Sequence, residues 1–370
     1  MKILTIFEDG RIGGPHNQFL YFFKTLNKFN EDKHYLIMPG FKEINKFNKK
    51  INLINLNITH LSSANLFFYF INFFKDIYKI IIEIKNKKID IVYIAGGTNC
   101  IKSVISSLIA RKKFIWHVHD VNSNFILVFL FNLLKFFSEK IIFVSQKSKN
   151  FYLKKKKFKN FIILPSSVDV NFFAIKCFNK KISKKIITIA NINPDKDIST
   201  LIDVVHNVEK YDKSIKFYIL GKVWKSQKNY YKKIKNKIKL KKIKNLKLIL
   251  KSDSVIKYLK QSDILMCTSV NESLPLSICE AMASYKAIIS TDVGDIKKFI
   301  EMKNKNFGFA GKVFKKNDYL NISEYIIYLY RNKNLIKKLG INSNKVAKNY
   351  LNIASYSKKL CKILNSTFYY

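Results

Sequence analysis

The sequence predicts an α/β protein made of two doubly wound domains that face one another across a cleft. Short, continuously apolar runs alternate with segments of helical spacing along the whole chain. Continuous apolar runs are typical of strands buried on both faces of a parallel sheet. The chain of 370 residues is also too long for one ordinary domain and suits two of middling size.

The first half alternates in this way from its first residues. Helical spacing follows the first run, where Phe19, Phe23, Leu26 and Phe29 recur every three or four positions. The polar, lysine-rich stretch 170–185 has no strand pattern and separates the two halves. The predicted strands of the first half are residues 2–7, 34–38, 90–95, 113–119, 140–145 and 161–166.

The second half repeats this order of strands and helices. Its predicted strands are residues 186–191, 216–221, 246–251, 263–269 and 287–293. We therefore expect one domain at 1–172, a linker at 173–185 and a second domain at 186–345. Residues 346–370 are expected to form a helix that packs back towards the first domain.

The composition excludes several classes of protein. A hydrophobic fraction of 48% rules out a disordered chain. The five scattered cysteines form no CxxC pair, which indicates free thiols in a reducing compartment. The N-terminus lacks a signal-peptide core, and the apolar stretches 66–74 and 125–134 are shorter than the about 18 residues of a bilayer span. We therefore expect a cytoplasmic protein.

The charge is strongly basic but almost free of arginine. The formal charge is +43, and only Arg11, Arg111 and Arg331 are arginines. Arginine is the usual residue for bidentate phosphate and base recognition, whereas lysine is a solvated point charge. The abundance of Ile, Asn, Phe and Tyr indicates an AT-rich coding bias, so part of the lysine excess is compositional. A nucleic-acid-binding protein remains a rival, although the chain has no recognised binding module.

Glycine is scarce, with 11 residues, so its clusters are informative. Gly10, Gly13 and Gly14 follow the first strand, and Pro15 suits the first turn of a helix. A Gly-Gly pair at a helix N-terminus exposes backbone N–H groups that can hold a phosphate. A plain strand-to-helix turn is the alternative interpretation.

Two histidines end the strand predicted at 113–119. His117 and His119 are two residues apart, so they share one face of that strand. A metal site needs three or four ligands, and the sequence positions no third one. A histidine at the carboxyl end of a strand fits a hydrogen bond to a polar substrate, with a packed histidine as the alternative, above all for His117.

The segment 269–283 is the most informative part of the chain. A strand ends at Ser269, a loop carries Glu272, and a helix is expected to begin near Pro275 with Ser273 as its cap. Seven residues separate Glu272 from Glu280 in that helix. Two carboxylates around a helix start can hold sugar hydroxyl groups.

The segment resembles the Glu–seven residues–Glu signature of the retaining glycosyltransferases of family four, which have the GT-B fold of two Rossmann-like domains. Residues 287–294 resemble that family's "PVVATDVGG" strand and turn, and residues 189–197 resemble its "VGRLSPEKG" loop. Residues 144–145 and 164–169 resemble "VSE" and "IPNGVD". The resemblance runs from Met1 to about Ala347.

The resemblance implies transfer of a sugar from a nucleotide-sugar donor to a glycan or lipid-linked acceptor, without a metal or other cofactor. It places the acceptor on the first domain and the donor on the second. It implies catalytic roles for Glu272, Lys196 and His119, with Glu272 and His119 on the sugar and Lys196 on the donor phosphates. The implied donor-binding residues are Gly13, Gly14, Asn191, Lys196, Ser273, Leu274, Pro275, Leu276 and Glu280, with Glu280 on the ribose.

The sequence departs from the family pattern at several positions. Asn191 stands where the family has its loop arginine, and Lys222 is a candidate for the missing charge. Ser273 and Asp295 stand where the family has glycine. A non-catalytic partner subunit of another transferase is therefore a second alternative. The sequence Asp195-Lys196-Asp197 imitates a metal-binding pattern, but its central lysine and its place in the phosphate loop favour a site without metal.

Lysine clusters at 154–157 and 222–251, the second interleaved with Trp224, Tyr230 and Tyr231, suggest a surface for anionic lipid headgroups. The apolar run 66–84 is compatible with a helix that lies on a membrane, although such a helix more often packs on a sheet. Solvated lysine faces without a partner are the alternative. The sequence thus predicts a cytoplasmic glycosyltransferase of cell-surface polysaccharide or lipopolysaccharide synthesis, peripheral to a membrane if the lysines bind lipid.

Overall fold

The chain forms two compact units in a computed structural model that describes residues 1–11, 13–26, 32–40, 51–62, 65–121, 124–153, 158–174, 182–250, 254–302 and 307–369. The first unit comprises Met1–Ser166 together with Ile353–Tyr370, and the second comprises Ser167–Asn352. The stretch Met1–Ser166 of the first unit covers most of the first domain expected at 1–172. The lysine run 154–157 and most of the expected linker lie outside the described residues.

The first unit is built on a seven-stranded sheet in the order β3-β2-β1-β4-β5-β6-β7, and every neighbouring pair is parallel. Buried Ile, Val and Phe fill its central strands, as expected for a sheet covered on both faces. The strands are β1 (Lys2–Ile6), β2 (Lys33–Ile37), β3 (Ile51–Ile54), β4 (Ile91–Gly96), β5 (Lys113–Val118), β6 (Lys140–Phe143) and β7 (Phe161–Ile163).

Helices cover both faces of this sheet. On one face, α1 (Gly14–Thr25) packs against the last helix, α15 (Ile353–Tyr369), and Phe22 meets the ring of Tyr356 at 6.3 Å. A second core lies on the opposite face, against the remaining helices. These are α2 (Leu66–Ile71), α3 (Phe73–Asn86), α4 (Ile101–Ile109), α5 (Phe125–Leu134) and α6 (Gln146–Leu153).

The second unit has a six-stranded parallel sheet in the order β10-β9-β8-β11-β12-β13. Its strands are β8 (Lys185–Ile189), β9 (Lys216–Leu220), β10 (Leu246–Ile249), β11 (Ile264–Cys267), β12 (Ala287–Thr291) and β13 (Gly311–Phe314). Its helices are α7 (Val170–Phe173), α8 (Ile198–Tyr211), α9 (Lys228–Leu240), α10 (Val255–Gln261), α11 (Leu276–Ala283), α12 (Ile296–Ile300), α13 (Tyr319–Arg331) and α14 (Lys333–Tyr350).

The predicted doubly wound fold class is confirmed in both units. Each predicted strand is present, and most end one to three residues earlier than expected because their last residues already belong to loops. The edge strands β3 and β13 were not predicted. The run 66–84 is two helices that meet at Asn72, rather than one.

Each sheet has one point at which the strand order reverses. In the first unit it lies between β1 and β4, and in the second between β8 and β11. Open α/β sheets bind their ligands beyond the carboxyl ends of the strands at such points. These two places are therefore where the candidate residues have to be sought.

Two further features of the fold follow from the described residues. The four cysteines among them, Cys100, Cys267, Cys279 and Cys361, are buried free thiols as predicted, whereas Cys177 lies outside the described ranges. In the same part of the chain, no helix has both the length and the apolar character that crossing a bilayer requires.

Candidate functional site

A small open pocket lies at the strand-order reversal of the second sheet. Its walls come from the end of β8, the end of β11 and the loops that follow them. Lys196 and Glu272, both predicted from the sequence, line it. The pocket also receives Ser277 from the first turn of α11, where a helix leaves backbone N–H groups without intrahelical partners.

The centre of the pocket is an ion pair between Lys196 and Glu272. The Lys196 Nζ donates to Glu272 Oε1, and the two side chains are 23% and 17% exposed, so both can reach a ligand. Burial lowers the pKa of Lys196, but the Glu272 carboxylate outweighs this and raises the pKa above its ordinary value. Lys196 is therefore a fixed cation at neutral pH.

The loop that carries Lys196 is tied to its neighbours by short polar side chains. The Asn193 side chain accepts from Lys196 N at 3.2 Å, and Thr268 Oγ1 donates to the carbonyl oxygens of Lys196 and Asp197 at 3.0 Å. Asp197 has a φ of +42°, a left-handed conformation that is uncommon outside glycine. Its carboxylate accepts from Thr200 N and so caps α8.

The loop that carries Glu272 is held from the other side by a glycine turn. Gly294 has a φ of +49°, and a Cβ at this position would overlap the carbonyl oxygen of Ser273. The amide of Asp295 donates to the same oxygen at 3.4 Å, and Ser269 Oγ donates to Glu272 Oε1 at 3.3 Å. The predicted turn after β12 therefore positions the Glu272 loop.

The remaining predicted donor residues of this segment are buried rather than pocket-lining. Ser273, Leu274 and Leu276 are less than a tenth exposed, and Glu280 is 4% exposed inside α11. The prediction that Ser273 caps the helix is wrong, because Pro275 occupies the N-cap position and α11 begins at Leu276. The loop turns into the helix one residue after Leu274, so Ser273 lies too early to cap it.

Asn191, the residue in the place of the family's loop arginine, is held by backbone contacts. Its Oδ1 accepts from Lys222 N at 3.0 Å, and Ile192 N donates to Lys222 O at 2.9 Å. Gly221 allows this close approach, because a Cβ there would overlap the Ala190 carbonyl oxygen. Lys222 itself is exposed. Asn191 therefore joins the loops after β8 and β9.

In the first unit, the predicted glycine pair lies at the start of α1, beyond the end of β1. Gly13 is the N-cap, and Pro15 is in the first turn as expected. The amide of Gly13 donates to His16 Nδ1 at 3.3 Å, and His16 Nε2 donates to Asp9 O at 2.7 Å. The histidine thereby fixes the conformation of the glycine loop.

His117 in β5 and His119 just beyond its end do lie on one face, with ring centroids 4.0 Å apart. His117 is fully buried, and the hydroxyl of Tyr93 lies 2.5 Å from its Nδ1, so it is a packed residue. His119 is partly exposed, and its buried Nε2 has no hydrogen-bond partner among the described residues. Burial, together with the charge of His16, lowers the pKa of His119 to about 3, so its imidazole is neutral at pH 7.

Glu8 is a polar residue of this edge that sequence reasoning missed. Its Oε1 accepts from Ser103 N at 2.7 Å and Ser103 Oγ at 2.8 Å, in the first turn of α4. Burial raises the pKa of the Glu8 carboxyl to about 7, although the Ser103 hydrogen bonds oppose this. A single acidic residue after an apolar strand gave no sequence signal.

Within the described ranges, no three His, Cys, Asp or Glu side chains are grouped so that they would hold a metal ion. The Asp195 and Asp197 pair that imitates a metal motif is engaged otherwise. The Asp197 carboxylate caps α8, and Asp195 Oδ1 accepts from Asn271 Nδ2 at 3.5 Å.

The sequence of the second unit matches a known family. Residues 173–346, which include both walls of the pocket, match the family model of glycosyl transferases group 1. Over these residues the chain is similar to the group 1 glycosyl transferases. The resemblance seen in the sequence is thus confirmed at the level of the family.

Full-length relatives and solved structures agree with this assignment. An uncharacterized glycosyltransferase of Methanocaldococcus jannaschii is 26% identical over 330 residues, which cover 86% of this chain and 85% of the relative. Anabaena HepE, solved with UDP and glucose, superposes with a TM-score of 0.82 at 14% identity, covering 99% of this chain and all of that one. Sucrose-phosphate synthase of Thermosynechococcus elongatus superposes with a TM-score of 0.81 at 12% identity, covering 100% of this chain and 99% of that one. The fold is the GT-B fold.

Several residues that line the pocket were missed by sequence reasoning. They are hydroxyl side chains at strand ends and at the first turn of α11, namely Thr188, Thr268, Ser269 and Ser277. Serine and threonine are common in loops, so only the sheet order, which makes β8 and β11 neighbours, reveals them.

Proposed function

We propose that this glycosyltransferase transfers a sugar from a nucleotide-sugar donor to a hydroxyl group of a glycan or lipid-linked acceptor, with retention of anomeric configuration and without a metal. The observation that carries the proposal is the Lys196–Glu272 pair in an open pocket at the strand-order reversal of the second sheet. A cation beside a helix N-terminus suits a diphosphate, and a carboxylate suits a sugar hydroxyl.

The chemistry follows from the charge that the leaving group acquires. The bond between the anomeric carbon and the donor phosphate oxygen breaks, and its electron pair stays on the phosphate. The acceptor oxygen forms the new bond on the same face, and its proton passes to the departing phosphate. Lys196 and the N–H groups at the start of α11 stabilise the growing negative charge.

The remaining roles are assigned by residue. Glu272 contacts the donor sugar, and Glu280 accepts from the ribose hydroxyl groups. His119 is the first unit's candidate for a hydrogen bond to a sugar hydroxyl, because its neutral ring has an unpartnered Nε2. Gly13 and Gly14 offer backbone N–H groups at the start of α1. Asn191 positions the loop after β8 rather than replacing an arginine charge.

We also propose that the protein acts in the cytoplasm, peripheral to an anionic membrane, in the synthesis of a cell-surface polysaccharide or lipopolysaccharide. The lysine-rich helix α9, which buries only Ile234, supports attraction to anionic lipid. Tyr230 and Tyr231 pack against the core of the second unit, so they do not form an exposed stacking platform for nucleic acid.

A binding screen tests the donor class. UDP and UDP-glucose are the first ligands to try, since the Anabaena neighbour was solved with each. We expect calorimetry and thermal shift to detect a nucleoside diphosphate, with no response to RNA or DNA, and we expect activity with the true donor to survive EDTA. NMR of the product is expected to show the donor's anomeric configuration.

The screen also separates the alternatives. If RNA or DNA raises the melting temperature of the protein and no nucleoside diphosphate does, a basic nucleic-acid-binding protein is favoured. Binding of a nucleotide sugar without any turnover would favour a non-catalytic subunit. Loss of activity with EDTA that returns with a divalent cation would refute the proposed metal independence.

The two glutamates are expected to respond differently to substitution. Glu280→Gln should weaken binding of the nucleoside diphosphate even without a sugar, because the ribose loses its acceptor. Glu272→Gln should slow turnover but leave diphosphate affinity unchanged or improved, because it frees Lys196 from its ion pair. Calorimetry with the diphosphate and initial rates with the donor measure both.

If Glu272→Gln weakens diphosphate binding and Glu280→Gln leaves it unchanged, Glu272 contacts the ribose and Glu280 the donor sugar. If both variants bind the diphosphate and turn over like the parent, the two glutamates are structural in this chain and other residues contact the sugar and the ribose.

A further inference from the structure

The helices α2 and α5 of the first unit consist almost entirely of apolar residues, and many of these side chains are exposed to solvent. More than half of the large apolar side chains that are exposed among the described residues lie on α2, α3, α5 and the turn that follows α5. Soluble monomers rarely expose such concentrations of apolar side chains unless the surface binds something.

The first of these patches is formed by α2 and the start of α3. Phe67, Phe68, Phe70 and Phe74 are 72%, 59%, 65% and 81% exposed. No residue of α2 is charged, and of its six residues only Tyr69 is buried. We name these four side chains the α2 patch.

The second patch is formed by α5 and the turn after it. Phe125 and Phe129 are 79% and 63% exposed, and Phe136 and Phe137 in the following turn are 67% and 59% exposed. The ten residues of α5 include no charged residue, and Phe131 is the buried one that anchors the helix to the sheet. We name these four side chains the α5 patch.

Both patches belong to the helix layer on one face of the first sheet. Phe131 of α5 and Ile80 of α3 pack into the same core. Tyr69 of α2 reaches that layer too, because the ammonium of Lys102 lies 4.1 Å from its ring centroid. The two patches therefore lie on the outer side of a single helix layer.

Around the α2 patch, the acidic residue of the first turn of α3 is buried and the lysines are exposed or partly exposed. Asp76, the acidic residue in the first turn of α3, is 2% exposed and neutralised by Lys102 at 2.7 Å. Lys75 is exposed, and Lys79 is 35% exposed on the same helix. The start of α3 thus presents phenylalanine and lysine to solvent and turns the Asp76 carboxylate inwards, while Glu83 near the end of α3 is partly exposed.

We infer that the α2 and α5 patches insert into the interface of an anionic lipid bilayer. Helices that bury Phe and Leu among the acyl chains and keep Lys at the headgroups are typical of interfacial binding. The net charge of +43 disfavours a second copy of this chain as the occupant, since two such chains repel, whereas an anionic surface attracts it. The inference rests on the proposed peripheral association and replaces lysine attraction by apolar insertion as its main source of affinity.

Sedimentation with vesicles tests the inference on the full chain. The probes are vesicles of phosphatidylcholine alone and of phosphatidylcholine with phosphatidylglycerol. One variant combines Phe67→Ser, Phe70→Ser and Phe74→Ser, and another combines Phe125→Ser and Phe129→Ser. The matched control combines Tyr211→Ser and Leu320→Ser, which are exposed in the second unit at 71% and 52%.

The parent is expected to sediment with the mixed vesicles, and most of this binding should persist at about 1 M salt, where charges are screened within about 3 Å. Each patch variant should lose at least about tenfold in partitioning, because each phenylalanine ring that leaves water contributes about that factor. The control should bind like the parent. Thermal shift with the nucleoside diphosphate checks that each variant is folded.

Several results would overturn the inference. If the patch variants sediment with vesicles like the parent, these side chains do not contribute to membrane binding. If the parent's vesicle binding vanishes at high salt, the lysines alone are responsible for it. A dimeric parent that becomes monomeric in the variants, with vesicle binding unchanged, would make the surface a contact between copies. A parent that binds the diphosphate but no vesicle would refute both peripheral association and this surface, and would leave the donor site standing.

Discussion

Replacement of Lys196 by alanine is expected to weaken nucleoside diphosphate binding by about tenfold to a hundredfold, the usual loss for a charge-assisted hydrogen bond of about 1.5–3 kcal/mol. Turnover should fall further than affinity, because the negative charge on the leaving group grows towards the transition state. Lys237→Ala is the matched control, since this lysine of the same unit is also ion-paired, at 2.6 Å from Asp203.

The ion pair with Glu272 makes a second comparison necessary. Lys196→Ala also leaves the Glu272 carboxylate without its cation, and this carboxylate would then repel the phosphates. The double variant Lys196→Ala, Glu272→Gln removes that repulsion, so it is expected to bind the diphosphate better than Lys196→Ala alone but more weakly than Glu272→Gln. If Lys196→Ala binds and turns over like the parent, the phosphate site has been placed wrongly.

Substitution of Gly294 is expected to be the most damaging single change outside the pocket itself. Gly294→Val forces a β-branched residue into a left-handed conformation and sets its Cβ against the Ser273 carbonyl oxygen. Backbone strain and overpacking each cost about 1–3 kcal/mol, so we expect a loss of about 2–5 kcal/mol in the free energy of unfolding. Activity should fall even in the folded fraction, because the loop that holds Glu272 has to move.

Gly308→Ala provides the control for Gly294→Val. A Cβ on Gly308 meets only the end of the Asn342 side chain, at 2.7 Å, and that side chain can turn away. Chemical denaturation measures both variants, and rates corrected for the folded fraction separate stability from loop position. A Gly294→Val variant with parental stability and rates would show that the turn does not hold the loop.

The fold could be predicted because burial leaves a strong pattern in the sequence. Central strands such as β4 and β12 are buried almost throughout and mostly apolar, and they were predicted to within a few residues. The edge strands β3 and β13 were missed, whereas the edge strands β7 and β10 were predicted from the longer runs 161–166 and 246–251. With Asn52 in β3 and Lys312 in β13, their short runs do not stand out from loop sequence.

The candidate site could be predicted only where its residues fall within recognisable sequence motifs. Lys196 and Glu272 were recognised within motifs, and the structure brings them together at the β8–β11 junction. The contact of Gly294 with Ser273 depends on which strands are neighbours, which no local spacing reveals. The exposure of Phe67 and Phe125 could not be predicted either, since a buried helix and an uncovered one can share the same apolar sequence.

The last helix, α15, also sets the order in which the two units can be completed during synthesis. Residues 167–352 are continuous, so the second unit has its whole core available once Asn352 has emerged from the ribosome. The first unit is made earlier but lacks Tyr356, Leu360 and Leu364, which fill its core beside α1. Until residues 353–369 are translated, the face of α1 that they cover stays open to water. The first unit therefore completes its core only after the whole of the second unit has been synthesised.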